Sequence, residues 1–283
     1  MKKLSFIAAL SGLALGAHAG EYSKAPLPLP DKTPIEECVD IGGSISGGYM
    51  TDFIFQGSRH ARDTIWTDVN YTVDSFFVPI TFGATYYNFL GATNQNAVFG
   101  DFLHTYASAG IGSFAGFDAT LSYNHVFFPE GTGPVNATSQ GVIILGVTRD
   151  LGFATAILGT SYSVAGDGSV FPDDFSGGWY HNAALQKGFD LTDSVSLVLE
   201  AGVGYSDDYW VHYWNSGWAH YYGKASLPIK LNCRATLTPY IGFNGGMDDN
   251  AFGFESSDSL DIFGNGAGGG DVLHGGISLS VSF

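Results

Sequence analysis

The last twelve residues, Val272 to Phe283, alternate with a period of two. Leu273, Ile277, Leu279, Val281 and Phe283 fall on one face of an extended strand, and His274, Gly276, Ser278, Ser280 and Ser282 on the other. One face calls for an apolar medium and the other for water or hydrogen-bonding neighbours. Beyond the N-terminal segment no stretch of 18 apolar residues occurs, so membrane-spanning helices are excluded. Charged residues make up 13% of the chain, against about 25% in soluble domains, while aromatics reach 15% and 40 of 283 residues are Gly. A chain of this kind enters a membrane as strands, in a closed antiparallel barrel. A soluble β-sandwich is the alternative fold.

Residues 1–19 carry Lys2 and Lys3, an apolar run from Leu4 to Ala17, and Ala17, His18 and Ala19 before Gly20. That is the layout of a cleaved signal peptide, and the absence of Cys at the cleavage point excludes a lipoprotein. Residues 20–40, with Pro26, Pro28, Pro30 and Pro34, read as an extended periplasmic leader. Loss of Lys2 and Lys3 leaves 9 basic against 27 acidic residues, a net charge of −18, which argues against nucleic-acid or polyanionic partners. The greasy closing strand that ends in Phe resembles those of bacterial outer-membrane barrels. The resemblance implies residues 41–283 as a transmembrane up-and-down β-barrel, outer-membrane lipid and lipopolysaccharide as surroundings, and passage through the barrel-assembly machinery.

Alternation places strands near 43–56, 64–74, 77–88, 102–113, 117–128, 139–149, 152–164, 179–189, 194–205, 217–230, 233–245 and 271–283, twelve in all. Connections after even strands are tight, as at Asp190 to Asp193, and those after odd strands are mostly longer and rich in Gly, Asn and Asp. Short periplasmic turns facing long outer loops are the asymmetry of outer-membrane barrels. The first outer loop, 57–63, is the short exception. The stretch Gly47 to Tyr71, with Phe55, Gln56 and Gly57 in sequence, resembles the opening hairpin of uncharacterised outer-membrane barrels whose first strand ends in a Phe-Arg-Gly-like sequence. Lys224 to Pro228 and Leu237 to Tyr240 are similar to later hairpins of such proteins.

With apolar residues outward, the lumen receives Asp52, Asp68, Asn70, His104, Tyr106, Asp118, Asn124, Asn182, Gln186, Glu200, His220, Lys224, Tyr240, Asn244 and His274. Asp52, Asp68, Asp118, Glu200, Lys224, His104, His220 and His274 are the permeation candidates. The bland reading is a set of hydrogen bonds that holds the barrel in shape, since a polar interior is required whatever the barrel does. If loop 57–63 closes symmetrically about His60, Asp52 opposes Asp68; the pair would share a proton, bind a cation or be neutralised by Arg59 or Arg62.

Tyr209, Trp210, Tyr213, Trp214 and Trp218 sit at an outer loop and the top of strand ten, the place of an aromatic girdle or of a sugar-stacking platform. His212 and His220 lack a third ligand fixed by spacing, so no metal centre is assigned. No cofactor is expected, although Asp173, Asp174, Asp207, Asp208, Asp248 and Asp249 in the outer loops suit Ca²⁺ or Mg²⁺ bridges to lipopolysaccharide phosphates. Cys38 and Cys233, both placed at the periplasmic rim, are a disulfide candidate in an exported chain, the flexible leader crossing two inter-strand steps of roughly 10 Å.

Barrel lipid hydrolases need a serine nucleophile beside a histidine base, and the families of this kind place Ser two residues after His on one strand; no histidine here has that neighbour. The sequence therefore points to a narrow porin or channel for small neutral or cationic solutes rather than an enzyme. A non-transporting structural or adhesive barrel is the alternative.

Overall fold

The computed structural model describes residues 41–74, 77–90, 101–128, 137–168, 177–209, 216–247 and 271–283. They form thirteen strands: β1 (Gly43–Phe55), β2 (Ser58–Val73), β3 (Ile80–Phe89), β4 (Phe102–Phe114), β5 (Phe117–Phe127), β6 (Ala137–Asp150), β7 (Thr155–Gly168), β8 (Trp179–Asp190), β9 (Ser196–Asp207), β10 (Gly217–Ser226), β11 (Ile229–Lys230), β12 (Ala235–Gly246) and β13 (Val272–Ser282). The two-residue β11 continues β10 past Leu227 and Pro228. Pro228 has no N–H to give, but its carbonyl accepts Ser196 N at 3.1 Å, and Leu227 N reaches Pro239 O at 2.9 Å. The hydrogen bonds thus run through, and the molecule is a closed barrel of twelve antiparallel staves.

Closure is made by the C-terminal strand. β13 pairs with β1 from Ser44↔Ser282 to Met50↔Gly276, and with β12 from Ala235↔Val281 to Asn244↔Val272. At the rim Ile41 N donates to Phe283 O at 3.0 Å and Phe283 N to Gly43 O at 3.0 Å, so the strand is tied to its end. In hydrocarbon no water can satisfy an open sheet edge, and closure removes the edge altogether.

The two faces sort as the alternation requires. Leu273, Ile277, Leu279 and Val281 are exposed on the outside, continuous with Ile45, Val69, Phe82, Leu121, Leu158, Leu199 and Ile241 on the other staves. Ser46, Asp68, Thr85, His104, Asn124 and His220 are buried on the inside. An exposed apolar belt around a closed barrel is the surface of a membrane-spanning protein of the outer-membrane type. The rim at Phe283 carries tight turns. Ala115 and Gly116 turn at φ 52° and 80°, and Asn232 Oδ1 accepts the backbone N–H groups of Arg234 and Ala235, both at 2.8 Å. In outer-membrane barrels the rim of tight turns is the periplasmic one.

The strand positions expected from sequence match those observed within a few residues, but the first hairpin does not follow the expected register. There is no loop over 57–63. The turn is Gln56 and Gly57, both in the left-handed region at φ 49° and 91°, the two-residue type that twists with its strands. Asp52 consequently opposes Arg62, Asp68 opposes Ser46 and Thr85, and the register shifts again at a bulge between Phe53 and Ile54. Asp52 and Asp68 are not a facing carboxylate pair.

A charge placed on the outer belt at mid-depth tests the membrane reading of the fold. Leu121→Arg, on an outward position 45% exposed, should lower stability in lipid bilayers by about 2–4 kcal/mol in refolding titrations. A change below about 0.5 kcal/mol would mean that this face does not meet hydrocarbon.

Candidate functional site

The β1–β2 hairpin leaves the wall near its tip. β1 pairs with β13 only as far as Met50, and β2 pairs with β3 only from Thr64 onward, with Asp63 O still accepting Leu90 N at 3.1 Å, so among the described residues those from Asp52 to Arg62 have no ladder partner outside their own hairpin. They turn inward instead. Phe53, 4% exposed, sits in a cluster with Met50, Trp66, Tyr87, Phe89 and Phe102. Its ring centroid lies 5.2 Å from Tyr87 and 5.5 Å from both Phe89 and Phe102, while Tyr87 and Phe102 stack at 4.6 Å. These side chains share inward parity with their neighbours Asp68, Thr85 and His104, so the aromatic mass is inside the lumen.

The tip itself reaches the other side. Asn244 Nδ2 donates to Gly57 O at 2.6 Å, and Asn244 Oδ1 lies 2.8 Å from His220 Nδ1, whose Nε2 is 2.5 Å from the Tyr180 hydroxyl. Gly57 is needed twice, for its φ of 91° and because a Cβ there would fall 2.3 Å from His220 Cγ. Around the ring β4, which carries Phe102, and β10, which carries His220, are six steps apart among twelve staves. They are opposite walls. The hairpin therefore bridges the lumen in its outer half. Within it, Asp52 Oδ1 lies 3.6 Å from Arg59 Nη1 and Asp52 Oδ2 accepts Thr51 Oγ1 at 2.7 Å, so this carboxylate is part of the bridge.

Two further carboxylates lie toward the periplasmic end. Asp68, fully buried, accepts Thr85 Oγ1 at 2.7 Å, Asn70 Nδ2 at 2.9 Å and the Tyr106 hydroxyl at 3.2 Å. Tyr106 gets there by lying across Gly83, where a Cβ would fall 2.2 Å from its ring. His104 stacks on Tyr106 at 5.4 Å. Glu200, on the other side, accepts Gln186 Nε2 and the Tyr222 hydroxyl, each at 3.0 Å. Lys224 opposes Glu200 in the register and sits 4.9 Å over the Tyr240 ring, which also meets His274 at 6.0 Å. Asp118 accepts Ser113 Oγ at the periplasmic rim. Asp68 and Glu200 thus place hydrogen-bonded carboxylates on two separate walls.

The remaining sequence candidates divide. Trp218 is 51% exposed on the outside, in a T-shaped contact with Tyr205 at 5.5 Å, as a girdle residue would be. Tyr209 is instead fully buried, 6.1 Å from Tyr180, because its backbone N–H bonds Ser206 Oγ and turns the chain inward. Trp210, Tyr213 and Trp214 lie outside the described residues, as do Asp173, Asp174, Asp248 and Asp249. Ser216 Oγ bonds the carboxylates of Asp207 at 3.0 Å and Asp208 at 3.1 Å. Cys233 is disulfide-bonded, and Cys38, the other cysteine of the sequence, lies outside the described residues. The lumenal aromatics were missed because only polar side chains were sorted inward. Trp66, Tyr87 and Phe102 each stand two residues from an inward polar group, which is the signal that would have found them.

No family model and no curated protein sequence matches this chain. Among solved structures it is similar to a KdgM porin in complex with disordered oligogalacturonate, with a TM-score of 0.48 and 7% identity over 85% of this chain and 99% of that one. It is also similar to an outer-membrane channel from Pseudomonas putida F1, with a TM-score of 0.48 and 11% identity over 90% and 100% of the two chains. LpxR from Salmonella typhimurium gives a TM-score of 0.46 and 10% identity over 85% and 100%.

The aromatic cluster should behave as a packed core inside a membrane barrel. Phe102→Ala, which removes a ring 4% exposed with aromatic partners on three sides, should cost about 3–5 kcal/mol in unfolding titrations in detergent. A loss below about 1 kcal/mol would show that the cluster is not packed in the folded protein.

Proposed function

We propose that this barrel is a narrow outer-membrane channel for small neutral or cationic solutes, closed at its outer mouth by the β1–β2 hairpin. The observation that carries the reading is the bridge from Phe102 through Phe53 to Gly57 and His220. A barrel of twelve staves is wider than side chains alone fill, and here the width is stopped by a piece of its own wall. Among the described residues the tip is held on the far side by the hydrogen bond from Asn244 to Gly57 O and by contact with His220. Releasing such a bond costs about 1–3 kcal/mol, within reach of thermal opening.

The lumen below the hairpin suits uncharged polar solutes and cations. Ser108 Oγ, Thr120 Oγ1, Asn124 Oδ1 and Thr148 Oγ1 are buried with no protein hydrogen-bond partner among the described residues. Buried as they are, they pair with water or solute hydroxyl groups only when the hairpin and the side chains around them give way. Asp68 and Glu200 add negative charge, and Lys224 offsets only part of it, so anions are disfavoured. The completeness of the bridge favours a second reading, a barrel that transports nothing and in which the hairpin is structural packing.

Planar-bilayer recording separates the two. Wild-type protein should show small, infrequent openings that favour K⁺ over Cl⁻. Asn244→Ala should raise the open probability, and Asp68→Asn with Glu200→Gln should reduce the cation preference. Absence of conductance from folded wild type and folded Asn244→Ala alike would establish the non-transporting barrel, and anion selectivity would overturn the solute class.

A further inference from the structure

On the outer surface, a groove of about 310 Å³ opens over the sheet from β6 to β10. One row of directly paired outward residues forms it: Leu145, Thr160, His181, Tyr205 and Trp218. Ala183, two residues along β8 from His181, makes the floor because its side chain ends at Cβ while its neighbours are large. The row runs obliquely up the wall: Leu145 and Thr160 are each the sixth residue from the periplasmic end of their strands, near mid-depth, while His181 is the third residue of β8 from its outer end and Trp218 the second of β10. The groove therefore opens sideways at its His181–Trp218 end toward the outer leaflet.

The groove has a polar centre that a lipid-facing wall does not need. Thr160 Oγ1 and His181 Nδ1 share a hydrogen bond at 2.9 Å. Trp179 stacks parallel to the imidazole, at 6.3 Å and 6°, and Tyr205 flanks it at 6.3 Å. With the Thr160 hydroxyl as donor, the imidazole proton resides on Nε2, which is then free to donate to a carbonyl or hydroxyl oxygen. Polar side chains on a hydrocarbon-facing surface are costly unless they meet a polar partner. Thr160 and His181 satisfy each other in part, and among the described residues nothing covers the remaining His181 Nε2, so the leaflet is the source of a further partner.

We propose that this groove binds one acyl chain of lipopolysaccharide, the chain lying along the apolar row and over Ala183. His181 and Thr160 receive the ester, amide or hydroxyl oxygen near its head. Lipopolysaccharide is the source that fits because the His181–Trp218 end of the row lies in the outer half of the barrel, where the outer-leaflet lipid supplies such oxygens just below the aromatic girdle. The site is independent of whether the lumen conducts.

The test is lipid retention by refolded full-length protein exchanged into neutral detergent, with lipopolysaccharide and, separately, phosphatidylethanolamine as probes, read by native mass spectrometry. Wild type should retain lipopolysaccharide in preference to phosphatidylethanolamine. His181→Leu should weaken retention about tenfold, the loss of one hydrogen bond made in an apolar setting, and Ala183→Leu should weaken it by filling the floor. His125→Leu, at a second outward histidine bonded to Tyr123 at 2.9 Å but away from the groove, should leave retention unchanged, which controls for general effects on the barrel. Gel mobility with and without boiling checks that each variant is folded. Equal retention of the two lipids, or equal loss in all three variants, would overturn the proposal.

Discussion

A strand that meets hydrocarbon on one side has no water for its peptide groups, and this requirement governs the whole molecule. Each N–H and C=O in the wall must find another strand, so the last strand has to reach the first. β13 does this with β1 on one side and β12 on the other, and Phe283 is fastened at the rim by Ile41 and Gly43. Pro228 shows how a proline in the wall obeys the rule. Its missing N–H interrupts the strand, while its carbonyl accepts Ser196 N and the amides of Leu227 and Lys230 bond Pro239 O and Ser194 O, so the stave stays attached on both sides.

Closure at twelve staves creates the second problem, which is an interior too wide for side chains to fill. The protein meets it differently at the two ends of the lumen. Toward the periplasm, small polar side chains and two separated carboxylates occupy the interior. Toward the outside, the first hairpin gives up its place in the wall and lies across the opening, with Phe53 against aromatic rings on one side and Gly57 against His220 on the other. The hairpin can leave the wall because β13 remains paired to β12 as far as Val272 where β1 departs, and because the bulge at Phe53 and Ile54 redirects the strand.

The sequence showed the architecture plainly and the site only in pieces. Alternation and turn residues located every stave because lipid-facing strands keep their period over most of their length, interrupted only locally by bulges, and Leu273 to Val281 display that in the shortest compass. The hairpin was misread because its register was inferred from a loop centred on His60. Gln56 followed by Gly57 is itself a two-residue turn signal that places Asp52 opposite Ala61, and the bulge between Phe53 and Ile54 moves it one residue on to Arg62. The crossing of the lumen was not legible at all, since it depends on contacts from Phe53 to β4 and from Gly57 to β10 that no local pattern encodes. Tyr209 shows the same limit: its aromatic neighbours in sequence suggested a girdle, and a backbone hydrogen bond to Ser206 turned it inside.

The central claim is that the hairpin tip rests against β10 and closes the outer lumen. Cysteines introduced as Gly57→Cys and His220→Cys, with Cys38 and Cys233 replaced by Ser, test it by cross-linking in membranes. A Cβ at Gly57 would lie 2.6 Å from His220 Cβ, so an outward shift of about 1 Å brings the pair into the range of a disulfide. The account predicts that the cross-link forms in folded protein, that the oxidised barrel is silent in bilayers, and that reduction restores its openings. Failure of the pair to cross-link in folded protein, or equal conductance before and after reduction, would contradict it.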